Sequence, residues 1–578
     1  MTNGLELGDI YGATIERIKA QDGDKSRLGM EALMWINYAE RPLRVDELCY
    51  ALAVQIGSTD FDVGNIPSVS TLVNCCQGLI TVDKEASTVR LIHLTLQEYL
   101  STRPDIFSKP HSAMGDIWLT YLNSKSVKAL STDPSPDTRN VPFLEYSAYW
   151  GVHAKRELSD CGRSLAPELL KEDYSQISTR SLLAQVKHFC LPKVDTLSPF
   201  SGLHCASFFG IVEIVVCLIE MECYDISEVD FSGCGPLAWA ARNGHEGALK
   251  ILLERQEINP DKPDNDDRTP LSDAAKNGHE RVIKIPLGWE EVNPDKPDKF
   301  DRTPLSYAAE NGHEGVMKML LKRGRVNPDK LDTFGRTPLS YAACFGYEGV
   351  VKILLRREKV NPDKPDKFGR TPLSYATKHG HVRVIKILLE REEVSPDKLD
   401  TFGRTPLSYA ACFGHEGVVK ILLGREEANP EKQDNDGRTP LSEAARYGHE
   451  GVVKILLGRG EVNPDKPDND GRAPLSHAAE NGHEGVVNIL LGREEVNPDK
   501  PDKWGQPPLS FAAENGHERV VKILLGREEV NPDMPDVWGQ TPLSRAVGDG
   551  HKTIVALLQS HKTVSPPYGL STKKRRLV

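Results

Sequence analysis

The chain has 578 residues, with 72 Lys and Arg against 83 Asp and Glu, a formal charge of −11. That balance argues against a general binder of nucleic acid or of anionic membrane surfaces. Eleven scattered cysteines, without a CxxC pair or metal-ligand spacing, read as reduced thiols of an intracellular protein. No N-terminal signal sequence is visible, and no apolar run approaches the ~18 residues a spanning helix needs.

Residues 1–24 read as an N-terminal helical remnant, with Ile10, Tyr11, Ile15 and Ile18 at helical spacing from Asp9 onward. A domain over 25–128 follows. Its helices are expected at Leu28–Ala39, Val45–Val54 and Val69–Cys76. Leu79–Val82 and Thr88–His93, across a short polar turn, predict a β-hairpin. Another helix starts at Leu94. Helices followed by a hairpin describe a winged helix. Residues 129–200 read as a helical connector, with an exposed turn-rich loop over 131–140 and helices from Pro142 to about Val186. The segment 561–578, which ends in Lys573-Lys574-Arg575-Arg576, reads as a disordered basic tail. The basic run is either a nuclear import signal or a solvated charge run, so the expected location is the cytoplasm or the nucleus.

The segments ERPLRVDELCYALAV, CCQGLITVD and VRLIHLTLQEYL resemble the winged helix that follows the NACHT ATPase domain in fungal NACHT–ankyrin proteins. Those proteins are signal-transducing ATPases related to innate immune receptors. A similar winged helix is named after GPI inositol-deacylase-like proteins. PFLEYSAYWGVHA, starting at Pro142, is similar to the connector of the same family. The resemblance implies an ATPase domain ahead of the winged helix. The chain lacks a GxxxxGK[ST] phosphate loop, so that domain is expected to be absent here, whether by evolution or through an incomplete gene.

Residues 201–560 repeat one 34-residue phrase eleven times, most clearly from Thr303: TPLSYAAENGHEGVMKMLLKRGRVNPDKLDTFGR. An unbroken period of this kind predicts a mainly α solenoid, in which each unit buries its apolar face against its neighbours. With Thr as position zero, Thr-Pro starts a helix, because Thr caps it and Pro loses no hydrogen bond in the first turn. Leu at +2 with Ala at +5 and +6 makes a thin inner helix, which Gly at +9 ends. Val, Ile and Leu from +13 to +18 form the face of a longer outer helix. Asn-Pro-Asp-Lys-Pro-Asp is turn-forming and makes a projecting finger, with Gly at +32 for its return. The phrase resembles the ankyrin repeat, TPLHxAA…GH…VVxxLL, with Ser at +3 where most ankyrins have His. One unit breaks the pattern: Pro286 stands where others have Leu, which predicts a kinked or shortened outer helix.

No GxSxG elbow or HExxH motif occurs, and no enzymatic activity, metal or cofactor is expected. The His recurring at +10 from His245 onward is expected to bond the inter-helix turn, because helices stacked about 8–10 Å apart hold such residues too far apart to share a metal. DNA binding is disfavoured, since Val45 to Asp83 contains no Lys or Arg.

The resemblance implies partner binding through finger tips and inner helices. At +31 the tips read Phe300, Phe334, Phe368, Phe402, then Asp436, Asp470, then Trp504, Trp538. At +4 stand Tyr307, Tyr341, Tyr375, Tyr409, then Glu443, His477, Phe511. These four Phe and four Tyr residues, from Phe300 to Tyr409, together with Trp504 and Trp538, are the candidate protein-binding set. The tip aromatics either pack on the adjacent finger or meet a ligand, and Arg at +33 is placed to stack across them. Three functions fit: a non-catalytic scaffold or ligand-sensing arm for protein partners, the C-terminal sensor half of an ATP-driven receptor whose NTPase lies upstream, or a nuclear transcription-associated factor.

Overall fold

A computed structural model describes residues 7–129, 143, 146, 149–171, 200–222 and 224–564. The expected loop over 131–140, the connector beyond 171 and the last residues from 565 lie outside these described residues. The chain divides into two bodies, 1–299 and 300–578.

The first body begins with helices α1 (Leu7–Lys19), α2 (Asp24–Tyr38), α3 (Val45–Ala53), α4 (Val69–Cys75) and α5 (Leu94–Thr102), and strands β1 (Leu43–Arg44), β2 (Ile80–Asp83) and β3 (Thr88–Leu91). The strands form one antiparallel sheet in the order β1-β3-β2, with Leu43 opposite Val89 and Ile80 opposite Leu91. The hairpin and its helices stand where periodicity placed them. β1 was not anticipated, because two residues show no alternation. Ser68 caps α4 by accepting from the Thr71 N–H. α1 is part of this domain's core: Ile15 and Ile18 are buried, and the Tyr11 hydroxyl lies 2.8 Å from Thr95 Oγ1 of α5.

An aromatic cluster joins the end of the 25–128 segment to the connector. Helices Pro110–Asn123, Trp150–Arg156 and Asp160–Leu170 supply Trp118, Trp150 and Leu169 to the buried interior. Trp35 of α2 meets Trp118 edge-on at 5.1 Å and Phe143 at 5.6 Å. The Glu40 N–H donates to the Tyr146 hydroxyl at 2.8 Å, tying this cluster back to the winged helix. The connector also seats the first repeat. A Cβ on Gly151 would lie 2.5 Å from the Phe209 ring, and one on Gly202 would lie 2.5 Å from the Leu170 carbonyl oxygen.

Eleven inner and outer helix pairs follow, from Gly202–Phe209 with Val212–Glu220 to Pro542–Gly548 with Lys552–Val564. The last helix runs into the segment expected to be a tail. His561 sits on it with Nε2 3.2 Å from the Leu525 carbonyl, at the end of the preceding outer helix. Arg391 and Arg493 make the same bond to Leu355 and Leu457, at 2.6 and 2.8 Å. A donor at that carbonyl caps the helix end of the neighbouring unit.

Thr at position zero caps as expected, and Ser at +3 completes a reciprocal box. The Ser374 N–H donates to Thr371 Oγ1 at 3.2 Å while the Thr371 N–H donates to Ser374 Oγ at 3.3 Å. Ala473 and Pro507 cannot make this bond, and the buried hydroxyls of Ser476 and Ser510 are left without a hydrogen-bond partner. Pro286 has the expected effect. Its outer helix is only Glu280–Lys284, followed by a 3-10 turn at Pro286–Gly288, against eight residues at Glu246–Leu253.

Pro286→Leu is therefore expected to stabilise the protein by up to ~3 kcal/mol and to raise amide protection across 269–299. Unchanged protection would show that the proline does not set the weak joint. Ala473→Thr is expected to add ~0.5–2 kcal/mol in chemical denaturation, by capping the helix and giving Ser476 its partner. A loss of stability would mean that this unit does not share the frame.

Candidate protein-binding surface

The return of each finger is built around one aspartate at +29, which is buried in every finger except that of the half-buried Asp434. Asp366 Oδ1 accepts from the Phe368 N–H at 2.8 Å and the Arg370 N–H at 2.8 Å, and Oδ2 accepts from Arg370 Nε at 2.9 Å. Gly369, at φ 75°, makes the turn possible. A fourth donor comes from the next unit, where the Tyr375 hydroxyl reaches Asp366 Oδ2 at 2.7 Å. Tyr341 bonds Asp332 and Tyr409 bonds Asp400 in the same way, at 2.8 and 2.7 Å. Other side chains at +4 keep this bond: Trp239 to Asp230 at 2.9 Å, His477 to Asp468 at 2.9 Å and Arg545 to Asp536 at 2.5 Å.

The histidines at +10 bond backbone across the repeat boundary. His381, His415 and His449 place Nε2 2.9, 3.1 and 2.9 Å from the carbonyls of Cys344, Lys378 and Cys412 in the preceding unit. Each ring lies over the glycine that ends that unit's inner helix. A Cβ on Gly414, at φ 72°, would lie 2.5 Å from His449 Nδ1. Burial, with Lys155 nearby, pushes His245 down to about 4, so it is neutral and joins the Phe208 carbonyl at 2.7 Å.

The candidate aromatics fall into two groups. Phe300, Phe334, Phe368 and Phe402 are 41–52% exposed, and Trp538 is 64% exposed. Trp504 is half-buried, with Lys503 Nζ 4.3 Å from its ring centre. Tyr307, Tyr341, Tyr375 and Tyr409 are buried, at 1–8% exposure, and belong to the frame. The arginine at +33 joins the groups as expected. Arg336 lies 5.0 Å from the Phe334 ring and 4.6 Å from Tyr341, and Arg370 lies 4.8 Å from Phe368 and 5.0 Å from Tyr375. Each finger phenylalanine thus has an arginine on its ring and much of its surface in solvent.

A second row was missed. Phe345, Phe413 and Tyr447, at +8, are 45–50% exposed, with exposed His379 between them. Phe413 stacks on His415 at 6.4 Å and Tyr447 on His449 at 6.5 Å. The signal was present in the sequence, since five other units carry Asn at +8, but a helix C-terminus was not read as surface.

The two rows meet in a cleft of about 150 Å³ that includes Phe402, Tyr409, Cys412, Asp434, Glu443 and Tyr447. The frame changes here, because Glu443 replaces the tyrosine at +4 and is buried. Arg438 turns away from the finger aspartate toward Asp436 at 3.1 Å and Glu443 at 3.6 Å, and its buried Nε has no hydrogen-bond partner. Burial pushes the Cys412 thiol up to about 11, leaving it neutral.

Within each body the repeats are thus helix pairs joined by fingers, a class defined by its repeat. The family model for ankyrin repeats (3 copies) matches residues 203–287, 282–366, 349–434, 417–502 and 491–566. These matches cover more than half of the chain, which belongs to the ankyrin repeat family. Residues 17–107 match the winged helix domain of GPI inositol-deacylase. No curated protein matches the chain significantly. No helix among the described residues is long and apolar enough to cross a membrane.

Proposed function

We propose that this protein is a non-catalytic scaffold or sensing arm that binds a protein partner along the aromatic face of residues 300–447. Ankyrin repeats mark a protein–protein interaction module. The observation that carries the reading is the row Phe300, Phe334, Phe368 and Phe402, each close to half exposed at the same offset of the repeat. Exposed aromatic rows backed by a rigid scaffold mark interaction surfaces. The +8 row extends the face. The proposed organisation is a winged-helix base over 25–128, a helical connector over 129–200 and the repeat array. The winged-helix match supports a second reading, a sensor half whose NTPase precedes it, which a phosphate loop encoded in frame 5′ to Met1 would favour.

Replacing Phe334 and Phe368 together with Ser is expected to weaken partner capture while leaving thermal unfolding nearly unchanged. Leu354→Ala, in a fully buried position, is expected to do the reverse at a cost of ~2–5 kcal/mol. If the phenylalanine changes destabilise the array as much as the leucine change, the rings serve finger packing and the binding reading fails.

A further inference from the structure

The edge of the array where the outer helices end changes sign within residues 300–564. At +19 to +22 the units starting at Thr371, Thr405, Thr439, Ala473 and Pro507 read Glu-Arg-Glu-Glu, Gly-Arg-Glu-Glu, Gly-Arg-Gly-Glu, Gly-Arg-Glu-Glu and Gly-Arg-Glu-Glu. In the two units before them, from Thr303 and Thr337, the same positions read Lys322-Arg323-Gly324-Arg325 and Arg356-Arg357-Glu358-Lys359. Six cations thus stand in two adjacent units, while each of the five that follow is neutral or acidic there.

The arginine at +20 behaves differently in the two groups. Arg391, Arg425, Arg459, Arg493 and Arg527 each donate through Nη2 to a carbonyl at the end of the preceding outer helix. Arg323 and Arg357 do not make this bond. All six cations are exposed, and none makes a side-chain hydrogen bond or ion pair among the described residues. Cations elsewhere on the same outer helices are paired: Lys318 meets Glu314 at 3.4 Å, and Arg383 meets Glu348 at 3.3 Å.

The basic edge is also short. Stacked helices lie about 8–10 Å apart, so the next unit brings Glu390, Glu392 and Glu393 to about one Debye length at physiological salt. Glu426 and Glu427 follow one unit on. A hollow of about 440 Å³ marks the change of sign, lined by Arg356, Arg357 and Arg391 together with Glu358 and Glu393. A nucleic-acid strand laid along the array, or a flat anionic membrane, meets these carboxylates as soon as it passes the second unit. A short anionic segment does not.

We propose that this edge binds a short run of Glu and Asp in a protein partner. Four of the six cations are arginines, whose planar fork matches a carboxylate through two hydrogen bonds. Six extended residues span about 20 Å, which matches the width of two stacked repeats. Complementary charge, not apolar area, supplies the specificity. The site lies at the outer-helix ends and uses no residue of the aromatic face.

The test uses the full chain and a fluorescent hexaglutamate peptide at physiological salt, with hexaglutamine as its neutral counterpart. Hexaglutamate is expected to bind saturably and at least about tenfold more tightly than hexaglutamine. Arg325→Glu with Arg356→Glu is expected to weaken it at least about tenfold, and Arg325→Gln with Arg356→Gln to weaken it less, neither lowering the thermal midpoint. Lys420→Glu with Lys454→Glu, an equal change of charge at exposed outer-helix positions, is expected to leave binding unchanged. Absence of hexaglutamate binding, or an equal loss in that control, overturns the inference. Tighter binding of a short DNA duplex, or of phosphatidylcholine vesicles containing one fifth phosphatidylserine, overturns it too. So does a salt-sensitive dimer that Arg325→Glu with Arg356→Glu dissociates, since a second copy would then be the occupant. Phe334→Ser with Phe368→Ser is expected to leave hexaglutamate binding unchanged, so this site and the aromatic face stand or fall separately.

Discussion

The aspartate at the base of each finger, buried in all but one of them, is the constraint on which the repeat surface depends. A carboxylate out of water is costly unless its oxygens are filled by donors. At Asp332, Asp366 and Asp400 the donors come from both sides of a repeat boundary: two backbone N–H groups and an arginine from the finger itself, and the tyrosine at +4 of the next unit. The same atoms that satisfy the charge fix the tip. Phe368 is held in place because its own N–H is one of the donors, and because Arg370, bonded to the aspartate, lies on its ring. The aromatic row is rigid for electrostatic reasons and exposed for geometric ones, which is what a binding face needs to limit the entropy lost on association.

Other hydrogen bonds between units are also local. The histidine at +10 reaches one carbonyl, and the arginine near the end of the outer helix reaches another. Stability is then a sum of unit and neighbour terms, so a defect stays where it arises. Pro286 shortens one helix and leaves the inner helix of its unit, Pro270–Lys276, intact. Glu443 draws Arg438 to 3.6 Å at one finger base.

Much of this was legible in the sequence, because a strict period makes every offset an experiment repeated eleven times. The capping Thr-Pro, the glycine at +9, the outer-helix face and the break at Pro286 follow from propensity and spacing alone. The arginine stack across Phe and Tyr was visible as a pattern. Burial was not. Tyr375 and Phe368 look alike in sequence, yet one is buried at a carboxylate and the other half in water, because that difference depends on Asp366, a long-range partner across the unit boundary. Phe413 and Tyr447 were missed since a helix end was read as punctuation. The role of α1 was missed because its partner, Thr95, lies far along the chain.

The central claim is that the +29 aspartate and the +4 side chain of the next unit form one coupled link between repeats. A double-mutant cycle on Asp366→Asn and Tyr375→Phe, read by chemical denaturation of the full chain, tests it most directly. The account predicts a coupling energy of about 1–3 kcal/mol, with the double variant less destabilised than the sum of the single changes. Additive effects, with no coupling between the two positions, would contradict it.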